Sequence, residues 1–186
     1  MSGIKSVCVY CGSSNDVDPA YLELATNLGT AIAKRGWRLV YGGGTVGLMY
    51  AAAKAAHDAG GEVIGFIPRF LQRIEGSYEE VPHVVVETMH ERKKLLFDES
   101  EAFVVLPGGI GTLEEAVETL SWAKLSLHAK PMSFLSTNDY WTPFFDCLDK
   151  MVEHKFAPPS MLDLVFKSND PEHSMDEFLN RYVDVI

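Results

Sequence analysis

Short runs rich in β-branched and aromatic residues alternate along this chain with longer stretches of helical periodicity, and that alternation restricts the fold more than any other feature. The strand-like runs are Val7–Tyr10, Arg38–Tyr41, Glu62–Ile67, Val84–Glu87, Ala102–Leu106 and Met132–Leu135, with Leu164–Phe166 a weaker seventh. Helical patterns fill Pro19–Arg35, Val46–Ala59, His90–Ser100, Thr112–Leu127 and Tyr140–His154, and Asp18 is placed to cap the first of them. An unbroken apolar run such as Phe103-Val104-Val105-Leu106 implies burial on both faces, as in a sheet sandwiched between helices. Right-handed β–α–β crossovers then predict an α/β fold with a doubly wound parallel sheet of six to seven strands flanked by helices. At 186 residues the chain is expected to form one domain, spanning 1–186. The stretch from Pro68 to Pro82 is the least regular and reads as a functional loop, and the tail after Pro158-Pro159 as a peripheral strand and helix.

A formal net charge of -10 argues against a nucleic-acid groove or an anionic membrane surface as partner, since both require a broad positive field. No apolar run approaches the roughly 18 residues of a membrane helix, and the N-terminus leads straight into a strand. The expected setting is soluble and cytoplasmic. Three cysteines, Cys8, Cys11 and Cys147, fit a reducing compartment. Cys8 and Cys11 spell C-x-x-C, but residues three apart on a strand point to opposite faces, so they read as a core thiol and a turn residue.

Three predicted strands end in turns rich in small residues: Cys11-Gly12-Ser13-Ser14, Gly42-Gly43-Gly44-Thr45-Val46-Gly47 and Pro107-Gly108-Gly109-Ile110-Gly111-Thr112. In a parallel sheet all three lie at one edge, where open α/β folds bind ligands. Glycine lets the backbone approach closely, and a helix start offers unpaired N–H groups to an anion such as phosphate. Ser14 and Gly43 are the candidate ligand contacts of the first two turns. Neither a P-loop nor a G-x-G-x-x-G after the first strand is present. In the third turn, Thr112 and Glu115 have the spacing of a capping box; equally, Glu114, Glu115 and Glu118 cluster on the first turns of a helix that faces the anion site. Arg92, at the start of the helix after the fourth strand, belongs either to a solvated charged face or to the cleft, where it would supply a planar, always-charged fork.

The segment Pro107-Gly108-Gly109-Ile110-Gly111-Thr112-Leu113-Glu114-Glu115 matches the P-G-G-x-G-T-x-x-E signature of the LOG-type (Lonely Guy) proteins. Met89-His90-Glu91-Arg92-Lys93 resembles their second motif at the correct distance upstream, and the likeness continues through Cys8–Ser14, Val40–Met49 and Gly60–Pro68. It extends over nearly the whole chain, to about Pro159. The resemblance implies a Rossmann-like homodimer acting as a cytokinin riboside 5'-monophosphate phosphoribohydrolase. Such an enzyme cleaves N6-substituted AMP, such as N6-prenyl-AMP, and often AMP itself, with water and with neither metal nor organic cofactor. Carried over by position, it implies Arg92 and Glu115 as the catalytic pair and Gly108, Gly109, Gly111 and Thr112 as the phosphate cradle. Met89 and Lys93 line the site, and Glu75 contacts ribose or base. Two positions depart from the family pattern: Tyr50 replaces a common glycine and Ser121 a common threonine. The bulk of Tyr50 beside the second turn bears on substrate preference.

The label lysine decarboxylase attached to many relatives implies chemistry that needs pyridoxal phosphate and a Schiff-base lysine, and no lysine here sits in a suggestive apolar setting. Rival readings are an AMP nucleosidase without a cytokinin role, and a non-catalytic nucleotide or cofactor carrier on the same fold. An interaction module would draw on Trp141, Phe144 and Phe145, which read instead as the core face of one helix. Leu113, Ala116, Val117 and Leu120 supply an apolar helix for a dimer interface.

Overall fold

The computed structural model describes residues 3–181. Seven strands are joined by helices in the order β1 (Ser6–Tyr10), α1 (Pro19–Lys34), β2 (Arg38–Tyr41), α2 (Gly47–Asp58), β3 (Val63–Pro68), α3 (Arg69–Glu75), β4 (His83–Val86), α4 (Met89–Asp98), β5 (Ala102–Val105), α5 (Ile110–Lys124), β6 (Met132–Leu135), α6 (Thr142–Glu153), a short 3-10 helix Pro159–Leu164, β7 (Val165–Ser168) and α7 (Pro171–Arg181). The strands form one sheet in the order β4-β3-β2-β1-β5-β6-β7, and every pairing in it is parallel. The direction of winding reverses between β1 and β5, which opens a crevice at their C-terminal ends.

Strand residues alternate between two cores. Val7, Val9 and Cys11 of the first strand and its turn join Leu39, Tyr41, Ala102 and Val104 beneath α1, α2 and α7. Cys8 and Tyr10 join Val40, Phe103, Val105 and Phe134 beneath α4, α5 and α6. The two thiols of the C-x-x-C therefore lie in separate cores, free and buried, and burial pushes both above the ordinary thiol range. All four residues of β5 are fully buried, as its uninterrupted apolar run predicts.

Asp18 caps α1 by accepting from the Ala20 N–H at 2.9 Å, and Pro19 occupies the first helical position. Trp141, Phe144 and Phe145 pack on Phe134 with ring centroids 5.3, 4.9 and 5.4 Å apart, so these aromatics belong to the core. Ala116 and Leu120 are also core residues, 0% and 6% exposed, and face the chain's own sheet rather than a partner; of the expected interface set Val117 is the one clearly exposed. Within the stretch read as an irregular loop lies α3, a helix with no buried residue. Its larger apolar side chains Phe70 and Ile74 point outward, so no inward-facing period marks it in the sequence.

Candidate active site

The three glycine-rich turns meet at the reversal of the sheet, but they are not equivalent. Gly12 N–H donates to Pro107 O at 3.0 Å, tying the first turn to the third. At the start of α2, Gly47 N–H is taken by the Asn15 side chain at 2.7 Å and Leu48 N–H by Gly12 O at 3.0 Å. That helix end is filled from within. At α5 the N-cap is Gly109 and no side chain caps it. Among the described residues no acceptor lies against the N–H groups of Ile110, Gly111 or Thr112. Only this third turn offers an anion several free amides together with the positive end of a helix dipole.

Helix α5 begins two residues earlier than the sequence suggests, and this decides between the alternatives for Thr112 and Glu115. Thr112 lies inside the first turn, buried against Gly108, and cannot act as an N-cap. No capping box forms, and Glu115 turns into a cleft of about 390 Å³. A relay fixes the pitch of this helix: Tyr10 Oη and Thr119 Oγ1 are 3.1 Å apart, and Thr119 Oγ1 donates to Glu115 O at 3.0 Å.

Arg92 reaches the same cleft from the first turn of α4. It is 7% exposed, so the solvated-face reading is set aside. Its guanidinium lies where a side chain at position 42 would stand, so glycine at 42 is a steric requirement. Its Nη2 is 4.0 Å from Glu115 Oε1 and its Nη1 3.9 Å from Met89 Sδ, while its Nε has no partner. Burial lifts Glu115 from the usual carboxylate range to about 7, although Arg92 pulls the other way. Glu75, on the far wall, is also raised by burial and opposed by Arg92, and its buried Oε2 has no partner. A buried cation and two partly buried carboxylates, with orphaned donor and acceptor atoms, thus line one cleft under a free helix end.

Of the residues singled out from sequence, Arg92, Glu115, Glu75, Met89, Gly109, Gly111 and Thr112 line this cleft. Gly108 and Ser14 line an adjoining hollow of about 310 Å³ on the other side of the Gly109 turn. Gly43 packs its backbone against Ile67 and Gly65, behind the cleft. Lys93 is drawn to the outer face of α5 by Glu114 and Glu118, at 2.6 and 3.1 Å. Cleft residues that the sequence did not mark include Met49, Leu71 and Leu96. Leu71 was hidden because its helix carries no periodic signal. Tyr50 does not crowd the second turn; it packs edge-on against Tyr78, with centroids 5.2 Å apart.

One lysine does occupy an apolar setting. Lys130 is half-buried, with Nζ 3.8 Å from the Phe97 ring centroid and donating to Phe97 O at 2.7 Å, and burial lowers its pKa. It precedes β6, at the opposite edge of the sheet from the cleft, where it caps the C-terminal end of α4. No group of three or more potential metal ligands occurs among the described residues, and no helix among them is long and apolar enough to cross a membrane.

Fold and site define a single-domain, Rossmann-like α/β protein with an uncapped helix end beside a largely buried arginine–carboxylate pair. A family model described as possible lysine decarboxylase matches residues 49–178. The probable cytokinin riboside 5'-monophosphate phosphoribohydrolase LOGL2 of Oryza sativa subsp. japonica is 41% identical over 177 residues, covering 95% of this chain and 72% of the relative. A cytokinin riboside 5'-monophosphate phosphoribohydrolase of Arabidopsis thaliana is 41% identical over 165 residues, covering 88% and 77%. The chain belongs to this family, the LOG family. Among solved structures, a molybdenum cofactor carrier protein of Chlamydomonas reinhardtii superposes with a TM-score of 0.71 at 25% identity, covering 95% of this chain and 98% of the carrier.

Proposed function

We propose that this protein hydrolyses the N-glycosidic bond of adenosine 5'-monophosphate or its N6-substituted forms, releasing the free base and ribose 5-phosphate. The observation that carries the reading is the largely buried Glu115 carboxylate beside Arg92, in a cleft roofed by the free amides of α5. The relatives' activity supports it. The phosphate docks on the amides of Ile110, Gly111 and Thr112 and brings the ribose against the two carboxylates, which makes attack effectively intramolecular.

As the base departs, positive charge develops on the sugar. An ionised Glu115 gains from that charge and holds the attacking water, so the desolvation that penalises it in the cleft is offset in the transition state. Arg92 keeps the carboxylate oriented and offers its guanidinium to the nucleotide from the cleft wall. Because Glu115 titrates near 7, the rate should rise with pH through that value as its base form accumulates.

Product analysis by chromatography with nucleoside mono-, di- and triphosphates tests this: ribose 5-phosphate is expected from the monophosphate alone. Glu115→Gln and Arg92→Ala should each lower base release by about 10² to 10⁴. Near-full activity in both would sink the assignment. Comparing AMP with its N6-prenylated form separates a cytokinin-type enzyme from a general AMP nucleosidase. The carrier superposition favours a second reading, a nucleotide or cofactor carrier without catalysis, which requires binding with no ribose 5-phosphate formed. The proposal includes a cytoplasmic homodimer without metal or organic cofactor; exposed Val117, Leu125 and Leu127, 44%, 63% and 68% accessible, support an apolar contact along and after α5. Light scattering of the pure protein tests the dimer.

A further inference from the structure

Glu75 stands on a precarious support. It is the last residue of α3, which buries none of its side chains, yet its carboxylate lines the cleft with one oxygen buried and unpaired. Something outside that helix has to hold it. Thr45, in the second glycine turn, donates to the Glu75 carbonyl twice, from Oγ1 at 2.6 Å and from its own N–H at 3.1 Å. A helix's last carbonyls have no partner within the helix, so this double bond fills both lone pairs of one of them.

The surroundings are shaped to the clasp. Gly76 follows with φ +73, and a Cβ there would lie 2.8 Å from Thr45 Oγ1; a Cβ on Gly44 would lie 2.8 Å from Glu75 Oε2. Beyond it, Tyr78 is 5% exposed and pinned edge-on between Tyr50 and His57, with centroids 5.2 and 6.0 Å away. The segment is therefore anchored on both sides of Gly76, while the body of α3 is free of the core.

We propose that Thr45 is a positioning residue: by clasping the carbonyl of Glu75 it fixes that carboxylate across the cleft from Glu115, and Tyr50, through Tyr78, provides a second anchor for the same segment. The proposal rests on the reading of the cleft as a nucleotide site. Thr45 itself lies outside the cleft wall and acts through Glu75.

The test uses the full chain as parent, Thr45→Val, Thr45→Ser, Glu75→Gln and the double variant Thr45→Val/Glu75→Gln. AMP affinity is measured by calorimetry, base release by kcat and KM, and amide exchange over residues 70–78 by mass spectrometry. Thr45→Val is expected to weaken AMP binding and kcat/KM about tenfold, the worth of one lost hydrogen bond, and to speed exchange in 70–78 alone. Thr45→Ser should restore all three readouts, and Thr45→Val should add less than about twofold in the Glu75→Gln background. An equal loss with and without the Glu75 carboxylate, unchanged exchange, or failure of serine to rescue would overturn the clasp. A parent that binds AMP with this coupling but releases no base overturns the hydrolase reading and leaves the clasp standing. A parent that binds no AMP overturns the nucleotide reading, and the exchange data then decide the clasp alone.

Discussion

The turn after β2, Gly42-Gly43-Gly44-Thr45-Val46-Gly47, and the turn after β5, Pro107-Gly108-Gly109-Ile110-Gly111-Thr112, both lead from a buried strand into a helix at the same sheet edge. Their glycines do different things. In the β2 turn they make room for protein: the Arg92 guanidinium at Gly42, the Ile67 side chain at Gly43, the Glu75 carboxylate at Gly44 and the first turn's backbone at Gly47. In the β5 turn, a Cβ on Gly109 or Gly111 would meet nothing within 4 Å. The β2 turn is a structural junction, closed by Asn15; the β5 turn keeps its space and its amides for something else. Glycine richness announces close approach, and the identity of the approaching group comes only from the fold.

The contrast is open to attack at four points. The largest effect is expected at Gly47, whose φ is +58 and whose added Cβ would lie 2.5 Å from Ser13 C. Gly47→Ala should destabilise by about 3 kcal/mol or more and lower the melting temperature by roughly 6–12 °C, read by calorimetry.

Next is Glu115. Burial lifts its folded-state pKa from 4.5 to about 7, so folding takes up a proton between those values. Stability accordingly falls as pH rises through that window and levels off above it. Glu115→Gln escapes the penalty and should be more stable than the parent by on the order of 2 kcal/mol near pH 8, with no difference near pH 4. Denaturant titrations at the two pH values test this, and a residue whose removal costs activity while raising stability is typical of a functional site.

At Gly111 an added methyl meets no protein atom within 4 Å. Gly111→Ala should leave stability unchanged or raise it by up to about 1 kcal/mol, while weakening AMP about tenfold in calorimetry. A variant that bound AMP normally would remove the distinction between the turns. Smallest is Asn15→Ala, which uncaps α2; a loss of about 1 kcal/mol with AMP affinity unchanged is expected from melting and titration together.

Much of this was legible in the residues. The apolar run at Phe103–Leu106 could only be an inner strand, and the order of strands and helices fixed which turns share an edge. Arg92 and Glu115 entered as candidates from their place at the sheet edge, and as a pair through motif likeness, but the raised pKa of Glu115 did not: it depends on burial by elements far apart in sequence. Asn15 was invisible as a cap because its helix starts 32 positions away. The helix carrying Glu75 was missed because Phe70 and Ile74 face outward, and the contact of Tyr50 with Tyr78 was hidden because Tyr78 lies across that same segment.

The free amides of α5 are placed, on the proposed reading, to hold a phosphoryl group and nothing of the base. On the proposed reading, the grip that orients the nucleotide therefore persists on the sugar phosphate after the cut. The base diffuses out first, the sugar phosphate lingers, and turnover slows as that product accumulates.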